Sequence, residues 1–370
     1  MGAGAKTVRY AYEPDYAIPP GESLAEILEG SGMTQVELAT RTGLSPKHVN
    51  QIVKGIAPIT PETALSLEKV TGIPARTWNS LEATYRSLVS RQDEEVRLKE
   101  DVGWLDELPI KELAQRGYIQ LRKSPVDQVR DVCQFFGVAS RAAWKTLWKP
   151  TAFRKSRAFE SDPGALATWL RIGEIEAAKI QCLPYDRKKF EAALAEARAL
   201  TCEGSPEVWL SQLQNKFAQA GVALVIVSEI GKTRANGASR WLSTEKGLIQ
   251  LSVRQKWADI FWFTLLHEAG HLLRHSKKET FIDEGTSDED VEEEADTFAA
   301  RWLIPREFEL ELQRVRLKDV PAFARRLGIG TDVIVGRLQH EGILKHSRGR
   351  QFRQLLDPTH LEALSRGTAS

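Results

Sequence analysis

Residues 259–275 have the sequence DIFWFTLLHEAGHLLRH, and this stretch decides the fold of the C-terminal half of the chain. It is apolar nearly all round, which predicts one internal α-helix. His267 and His271 stand four positions apart, so they share one face of that helix, about 6 Å apart along its axis. Glu268 follows the first histidine. Two imidazoles and a carboxylate in this HExxH spacing are typical of a zinc hydrolase, with the histidines on the metal and the glutamate as general base.

A second interpretation of this stretch is a buried amphipathic helix whose histidines have ordinary hydrogen-bond partners. The residues on both sides of the motif are apolar, so we expect the motif to be buried. Buried polar groups cost roughly several kcal/mol unless something binds them. A metal ion satisfies both histidines at once, and we therefore predict Zn²⁺ as the cofactor.

A zinc-hydrolase site needs a third protein ligand, and the next helix offers one. Residues 292–305, EEEADTFAARWLIP, predict a helix that ends near its proline. Glu292 and Asp296 lie one turn apart in it. We assign Glu292 to the metal and Asp296 to the outer shell, where it orients a ligand histidine. The alternative is a solvated acidic helix start over residues 288–294, which explains the other glutamates but not an aspartate on the apolar face.

Other polar residues are weaker candidates. His275 lies two turns beyond the first ligand, too far along the helix to share the ion. The metzincin extension is absent, since Arg274 and Lys277 stand where it requires glycine and histidine. Arg240 and His340 are possible oxyanion stabilisers with no geometry to support them.

Four linked motifs surround the HExxH helix: GASRWL at 237–242, IQLSVR at 249–254, FWFT at 261–264 and EEEADTFAARWLIP at 292–305. With HEAGH they resemble the ImmA/IrrE family of metallo-endopeptidases over roughly residues 207–305. The resemblance implies that His267, His271 and Glu292 bind zinc and that Glu268 is catalytic. It also implies action on regulatory proteins, typically repressors, and many members of the family adjoin toxin genes.

A second informative region, residues 21–85, predicts a helix-turn-helix unit. Its second helix begins at Thr34-Gln35, and Gly43 makes the turn. Ser45 then caps a third helix with Pro46 at its first position, which is a favoured helix start. A helix, a short glycine-containing turn and a second helix define this motif. The alternative is a small helical bundle with a polar face.

The third helix of such a unit lies in the DNA major groove, where its outward side chains contact base edges. Here those positions carry cationic and amide groups and no acid; lysine can donate to guanine, and amides pair with adenine. A residue that starts the preceding helix can meet a phosphate. The predicted DNA-binding residues are Gln35, Lys47, His48, Asn50, Gln51 and Lys54.

Several short motifs in this region, among them MTQ at 33–35, GLS at 43–45, IVKG at 52–55 and ITPETA at 59–64, resemble the XRE-type domain of HigA/VapI-type antitoxins. The resemblance implies a homodimer that binds palindromic operator DNA and represses its own operon.

The middle and the tail of the chain predict helices without a catalytic constellation. In residues 91–204 the tryptophans are irregularly spaced, which is more typical of packing anchors than of a ligand cage. We expect this region to join the other two. Residues 318–344 resemble another helix-turn-helix whose arginines, Arg325, Arg326 and Arg337, could touch DNA, but a structural role is favoured because a similar tail occurs across the metallopeptidase family.

Three strands are predicted before the HExxH helix, at Val222–Ile230, Arg240–Ser243 and Leu248–Val253. We hypothesise that the last of them lies at the sheet edge beside the metal, where an extended substrate would add to it as another strand.

Composition limits the function classes. Basic and acidic residues number 51 and 50, for a net charge of +1, so any site for nucleic acid must be local. No 18-residue apolar run exists, which argues against a membrane span. Three scattered cysteines suit reduced thiols, and we expect a cytoplasmic protein.

The predicted fold class is α+β and mostly α: an N-terminal five-helix-type helix-turn-helix domain, a helical middle region and a C-terminal zincin-like domain with a small sheet and an HExxH helix. The predicted boundaries are a flexible arm at 1–20, the helix-turn-helix domain at 21–90, the middle domain at 91–204, the zinc peptidase domain at 205–310 and C-terminal helices with a tail at 311–370.

Two functions stay open. In the first, a DNA-binding regulator carries a zinc endopeptidase domain that acts on a regulatory protein in a toxin–antitoxin or stress-response operon. In the second, a HigA-like antitoxin neutralises a toxin by binding it and represses its operon, with a structural or regulatory metal site and no proteolysis. Operator DNA is a partner in both, beside a protein substrate or a cognate toxin. Glu268 favours the first function, because a structural site has no use for a base; the antitoxin-like domain favours the second.

Overall fold

The computed structural model describes residues 17–148, 162–231, 233–274, 280–282 and 289–367. The chain forms two compact units, Met1–Glu100 and Asp101–Ser370. Most of the predicted arm, up to Tyr16, lies outside the described residues, as do His275 and Lys277.

The first unit contains the five helices that the sequence predicts. They are α1 Pro20–Ser31, α2 Gln35–Thr42, α3 Pro46–Val53, α4 Pro61–Thr71 and α5 Ala75–Glu100. Side-chain caps begin three of them: the hydroxyls of Thr34, Ser45 and Thr60 each accept a hydrogen bond from the backbone N–H three residues later. The helices enclose a core of aliphatic side chains around Trp78.

Helix α5 continues past residue 90, where the sequence analysis places a domain boundary, to Glu100. Residues 75–100 contain no glycine or proline that would end a helix, so the boundary falls inside a continuous element. Buried Glu82 ties α5 to the start of α4, since its carboxylate accepts from the backbone N–H of Ile59 at 3.1 Å. The other predicted boundaries remain predictions.

The second unit is a small sheet covered by helices on both faces. Its elements before the HExxH helix are a 3₁₀ turn at Val102–Glu107, α6 Ile110–Gln115, α7 Pro125–Phe136, α8 Arg141–Leu147, α9 Pro163–Lys179, α10 Arg187–Leu200, α11 Pro206–Gln219, β1 Val222–Ile226, β2 Gly237–Ser243 and β3 Lys246–Leu251. The HExxH helix and its successors are α12 Ala258–Arg274, β4 Thr280–Ile282, α13 Glu289–Leu303, α14 Glu309–Leu312, α15 Val320–Leu327, α16 Thr331–His340 and α17 Pro358–Gly367.

The strand order is β1-β3-β2-β4, with β3 parallel to β1 and antiparallel to β2. The hypothesis that β3 lies at a sheet edge is therefore wrong: Ile249 pairs with Leu224 on one side and with Ser239 on the other. A strand that is buried along nearly all its length belongs inside a sheet, because only there do both faces and both edges find partners. A fourth strand, β4, is not among the three predicted strands; it is three residues long and pairs with β2.

Helix α9 covers one face of the sheet. The Nε2 of Gln250 in β3 donates to the backbone oxygen of Trp169 at 2.8 Å, and the indole N–H of Trp169 donates to that of Val227 at 2.7 Å. Lys246 donates to two carbonyls at the C-terminal end of α9. The middle region is thus more than a connection, because it supplies one layer of the second unit. As predicted, its tryptophans are packing anchors, and Trp104, Trp144, Trp148 and Trp169 are all buried.

Helix α12 covers the other face of the sheet, and α13 and α16 pack against it. A Cβ atom on Gly247 of β3 would lie 3.2 Å from Leu272 of α12, so the strand and the helix are in close contact. Most of α16 is buried, including the side chains of Val333, Ile334 and Leu338. This burial fits the structural role favoured for the tail, because a helix that reads DNA needs an exposed face. None of the described helices is long and apolar enough to cross a membrane.

Candidate metal centre

Small residues let the two ligand-bearing helices approach closely. A Cβ atom on Gly270 of α12 would lie 3.0 Å from the ring of Phe298 and 3.5 Å from the Cα of Ala295, both on α13. Ala295 and Ala299 are fully buried at the same contact. Glycine and alanine at these positions leave room for side chains from both helices to reach one point.

At that point the structure brings together the three predicted ligands. The Nε2 atoms of His267 and His271 lie 3.0 Å apart. The Oε2 atom of Glu292 lies 3.0 Å from the first of these nitrogens and 3.5 Å from the second. Both histidines are buried.

These residues fit a zinc ion. Donor atoms about 2.0–2.2 Å from one tetrahedral ion lie roughly 3.3 Å from each other, and the three separations span that value. Two imidazoles and a glutamate are also the donor set of one class of catalytic zinc sites, in which the fourth position stays open for water or substrate.

Asp296 lies behind the first ligand. Its Oδ1 is 2.8 Å from the Nδ1 of His267. A carboxylate at that distance holds the ring proton on Nδ1, and the Nε2 lone pair of the same ring then faces the shared point. The assignment of Glu292 to the metal and Asp296 to the outer shell is consistent with this geometry.

Glu268 is fully buried and lies where α12 meets the start of β2. A Cβ atom on Gly237 would come within 2.7 Å of its Oε1 and within 2.8 Å of Thr264. The absence of a side chain at Gly237 therefore makes room for the Glu268 carboxylate. The position of Gly237 at the start of a strand is the sequence signal for this contact, because a glycine there often marks a close approach of the backbone to a neighbouring element.

Of the two possible oxyanion stabilisers, the structure excludes Arg240. Its guanidinium donates to the backbone oxygen of Leu170 and forms an ion pair with Glu174, both at 2.9 Å on α9. Successive side chains of a strand point to opposite faces, so Arg240 lies on the face away from the metal cluster. His340 lines a cavity beside Phe263, which lies one turn before the first metal ligand.

The six predicted DNA-binding residues lie on α3, at its C-terminal cap and at the start of α2. Lys47 and Lys54 are exposed, and the other four are half-buried. The amide nitrogen of Asn50 donates to the Oε1 of Gln35 at 3.2 Å, which links the two helices. No acidic side chain interrupts this surface along α3.

Comparisons with known proteins match the two units separately. Residues 227–339 match the family of IrrE N-terminal-like domains, and residues 24–78 match a helix-turn-helix family. The chain is also 35% identical over 80 residues to virulence-associated protein I of Dichelobacter nodosus, across 74% of that protein and 21% of this chain. No solved structure matches the chain.

Proposed function

Because the chain belongs to the XRE-type helix-turn-helix family of virulence-associated protein I and joins that domain to an IrrE N-terminal-like peptidase domain, we propose that it is a DNA-binding regulator with zinc-dependent endopeptidase activity toward a regulatory protein. One observation carries the enzymatic part: donor atoms of His267, His271 and Glu292 converge within 4.8 Å, and buried Glu268 adjoins the first of them in the chain.

His267, His271 and Glu292 would hold the metal, and Asp296 would keep the first imidazole in its binding tautomer. A bound zinc ion supplies Lewis acidity, which polarises a peptide carbonyl and acidifies a water molecule near neutral pH. Glu268 would take one proton from the attacking water as the water oxygen forms a bond to the carbonyl carbon. The same carboxyl group would then give that proton to the amide nitrogen as the C–N bond breaks, so the products would be a carboxylic acid and an amine, which ionise to carboxylate and ammonium at neutral pH.

The helix-turn-helix unit supplies DNA binding. Lys47, Gln51 and Lys54 offer donors for base edges and phosphates, and Gln35 starts the helix that precedes α3. We propose that the protein binds operator DNA as a homodimer, represses its own operon and acts within a toxin–antitoxin or stress-response system. The match of residues 24–78 to a helix-turn-helix family supports the DNA-binding part of this proposal.

The resemblance of the motifs in residues 33–64 to HigA/VapI-type antitoxins suggests a second candidate function, a HigA-like antitoxin that binds a toxin and uses its metal only structurally. This candidate gives no role to Glu268, a carboxylate buried at the metal cluster. Burial of an ionisable group without a chemical role costs stability, so the endopeptidase is the stronger candidate.

The deciding experiment compares wild type with Glu268→Gln and with Glu293→Gln, an exposed glutamate on α13 that serves as the matched control. Each zinc-loaded protein is incubated with the proteins encoded by neighbouring genes and with a cell extract, and new N-termini are mapped by mass spectrometry. Glu268→Gln should keep one zinc per chain and lose cleavage by about 10²–10⁴-fold, the contribution of a general acid–base group. Glu293→Gln should match wild type.

Full zinc content in wild type without any new N-terminus would refute the endopeptidase and favour the antitoxin. Equal cleavage by wild type and Glu268→Gln would instead remove this residue from the mechanism.

A further inference from the structure

A cavity lies between α12 and α13, next to the metal cluster. His267 of α12 faces Asp296 of α13. The two helices are antiparallel. One turn closer to the N-terminus of α12, Phe263 therefore lies beside Ala300, which is one turn closer to the C-terminus of α13. The cavity occupies the next two turns and has a volume of about 220 Å³, and α16 closes it. Its walls come from the first half of α12, the end of α13 and one side of α16.

The cavity has a buried apolar floor and a partly exposed rim. Leu303, Ile304 and Val333 are buried, whereas Ala300 is half-buried and His340 is exposed. A side chain can therefore enter from the rim and reach apolar contacts on the floor.

The buried charge in the cavity wall is already balanced. Asp259 forms a bidentate ion pair with Arg353, with both Asp259 oxygens 2.8 Å from the Nη2 of the arginine. Arg337 is paired with Glu341 at 2.8 Å. Because these charged groups already form ion pairs, we expect a ligand in the cavity to make mainly apolar contacts.

The cavity begins next to the metal ligands. The ring centroid of Phe263, part of its wall, lies 6.4 Å from that of His267. Asp296, on the opposite helix at the same level, has a side chain that is 59% exposed, so solvent reaches this side of the helix pair. A peptide whose carbonyl carbon is at the metal would thus have a neighbouring side chain within reach of the cavity.

We propose that this cavity is a specificity subsite that takes one large apolar side chain, of the leucine, methionine or phenylalanine class, adjoining the peptide bond that is cleaved. The inference rests on the proposed endopeptidase function and names the substrate class of that site. The volume is sufficient: an engineered apolar cavity of about 150 Å³ admits benzene. In this arrangement α16 contributes to substrate choice as well as to the fold.

The first test uses two hydroxamates that chelate zinc and differ only in their alkyl group, acetohydroxamate and 4-methylpentanoyl hydroxamate. Their dissociation constants for the zinc-loaded full-length protein are measured by calorimetry. Burial of the additional carbons should make the branched compound on the order of 10- to 100-fold tighter.

The cavity is then filled by Ala300→Phe, which should bring the two dissociation constants to within about threefold of each other, since the branched chain loses its apolar site. The matched control is Ala322→Phe, the same substitution at an exposed position of α15, which should retain the wild-type preference. Equal affinities in wild type, or an unchanged preference in Ala300→Phe with intact zinc content and circular dichroism, would overturn the subsite.

A second readout separates failure of the subsite from failure of the metal site. Fluorobenzene is titrated into the metal-free full-length proteins and followed by ¹⁹F NMR. Wild type and Ala322→Phe should bind it and Ala300→Phe should not. If neither hydroxamate binds, but fluorobenzene binds wild type and not Ala300→Phe, the metal assignment is wrong and the apolar site is supported. If fluorobenzene binds wild type and Ala300→Phe equally, the subsite proposal is wrong, irrespective of zinc binding.

Discussion

The helix-turn-helix unit and the metal centre place their polar residues in opposite environments. The predicted DNA contacts lie mostly on one eight-residue helix, and Lys47 on that helix and Lys54 at its C-terminal cap are exposed. The predicted metal ligands come from α12 and α13, and both histidines are buried. The DNA-binding surface requires only that the short helix α3 begins and ends at the right residues. The metal centre requires α12 and α13 to pack at one particular distance from each other. We therefore expect the metal centre to be far more sensitive to single substitutions.

The largest effect is expected from Glu292→Gln, compared with Glu293→Gln at the next position of α13. The Oε2 of Glu292 lies 3.0 Å from the Nε2 of His267, whereas Glu293 is exposed. Loss of a direct carboxylate ligand should weaken zinc binding by more than the roughly 10–100-fold typical of an outer-shell partner. Zinc per chain after dialysis against a buffered zinc concentration measures the difference. Equal zinc content in the two variants would contradict the assignment of the third ligand.

The next effect concerns the exposed surface of α3. The double variant Lys47→Ala with Gln51→Ala should weaken binding to a DNA site selected by the wild-type protein from a random library. Each good base contact contributes about 1–3 kcal/mol, so a loss on the order of 10²-fold is expected. Lys69→Ala, an exposed lysine on α4, is the control for the loss of positive charge. Fluorescence anisotropy at a fixed salt concentration measures all three, and an unchanged affinity in the double variant would remove α3 from the interface.

The two regions also differ in how far the sequence alone predicts them. Capping hydroxyls and turn glycines lie within the helix-turn-helix sequence itself, so the predicted starts of α2 and α3 agree with the structure. The sequence predicts His267 and His271 as ligands of one ion because their spacing reflects one coordination geometry, and the structure brings their Nε2 atoms to within 3.0 Å of each other. Features that arise only from packing were missed. The central position of β3 depends on pairing with β1 and β2, and the approach of Gly237 to Glu268 depends on the sheet meeting α12.

A smaller effect is expected at Asp296, which contacts the metal site only through His267. Asp296→Asn can still accept a hydrogen bond from Nδ1 but loses the negative charge that strengthens the imidazole as a ligand. Zinc affinity should fall by about 10–100-fold, with the fold unchanged. Asp290→Asn, an exposed aspartate near the start of the same helix, should have no effect. Competition with a zinc chelator of known affinity measures the change. A loss as large as that of Glu292→Gln would make Asp296 a direct ligand.

The smallest effect tests whether α3 depends on local signals, as the comparison of the two regions implies. The hydroxyl of Ser45 accepts a hydrogen bond from the backbone N–H of His48 at 3.1 Å, which caps the helix. Removal of such a cap costs about 1 kcal/mol, so Ser45→Ala should speed amide hydrogen exchange in α3 by roughly fivefold. Ser66→Ala is the control, because that hydroxyl bonds to the Glu62 carbonyl inside α4 and caps nothing. Exchange that increases equally in α12 and α13 would mean that the cap acts on the whole chain. Unchanged exchange in α3 would mean that packing, and not the local cap, holds this helix as it holds the metal centre.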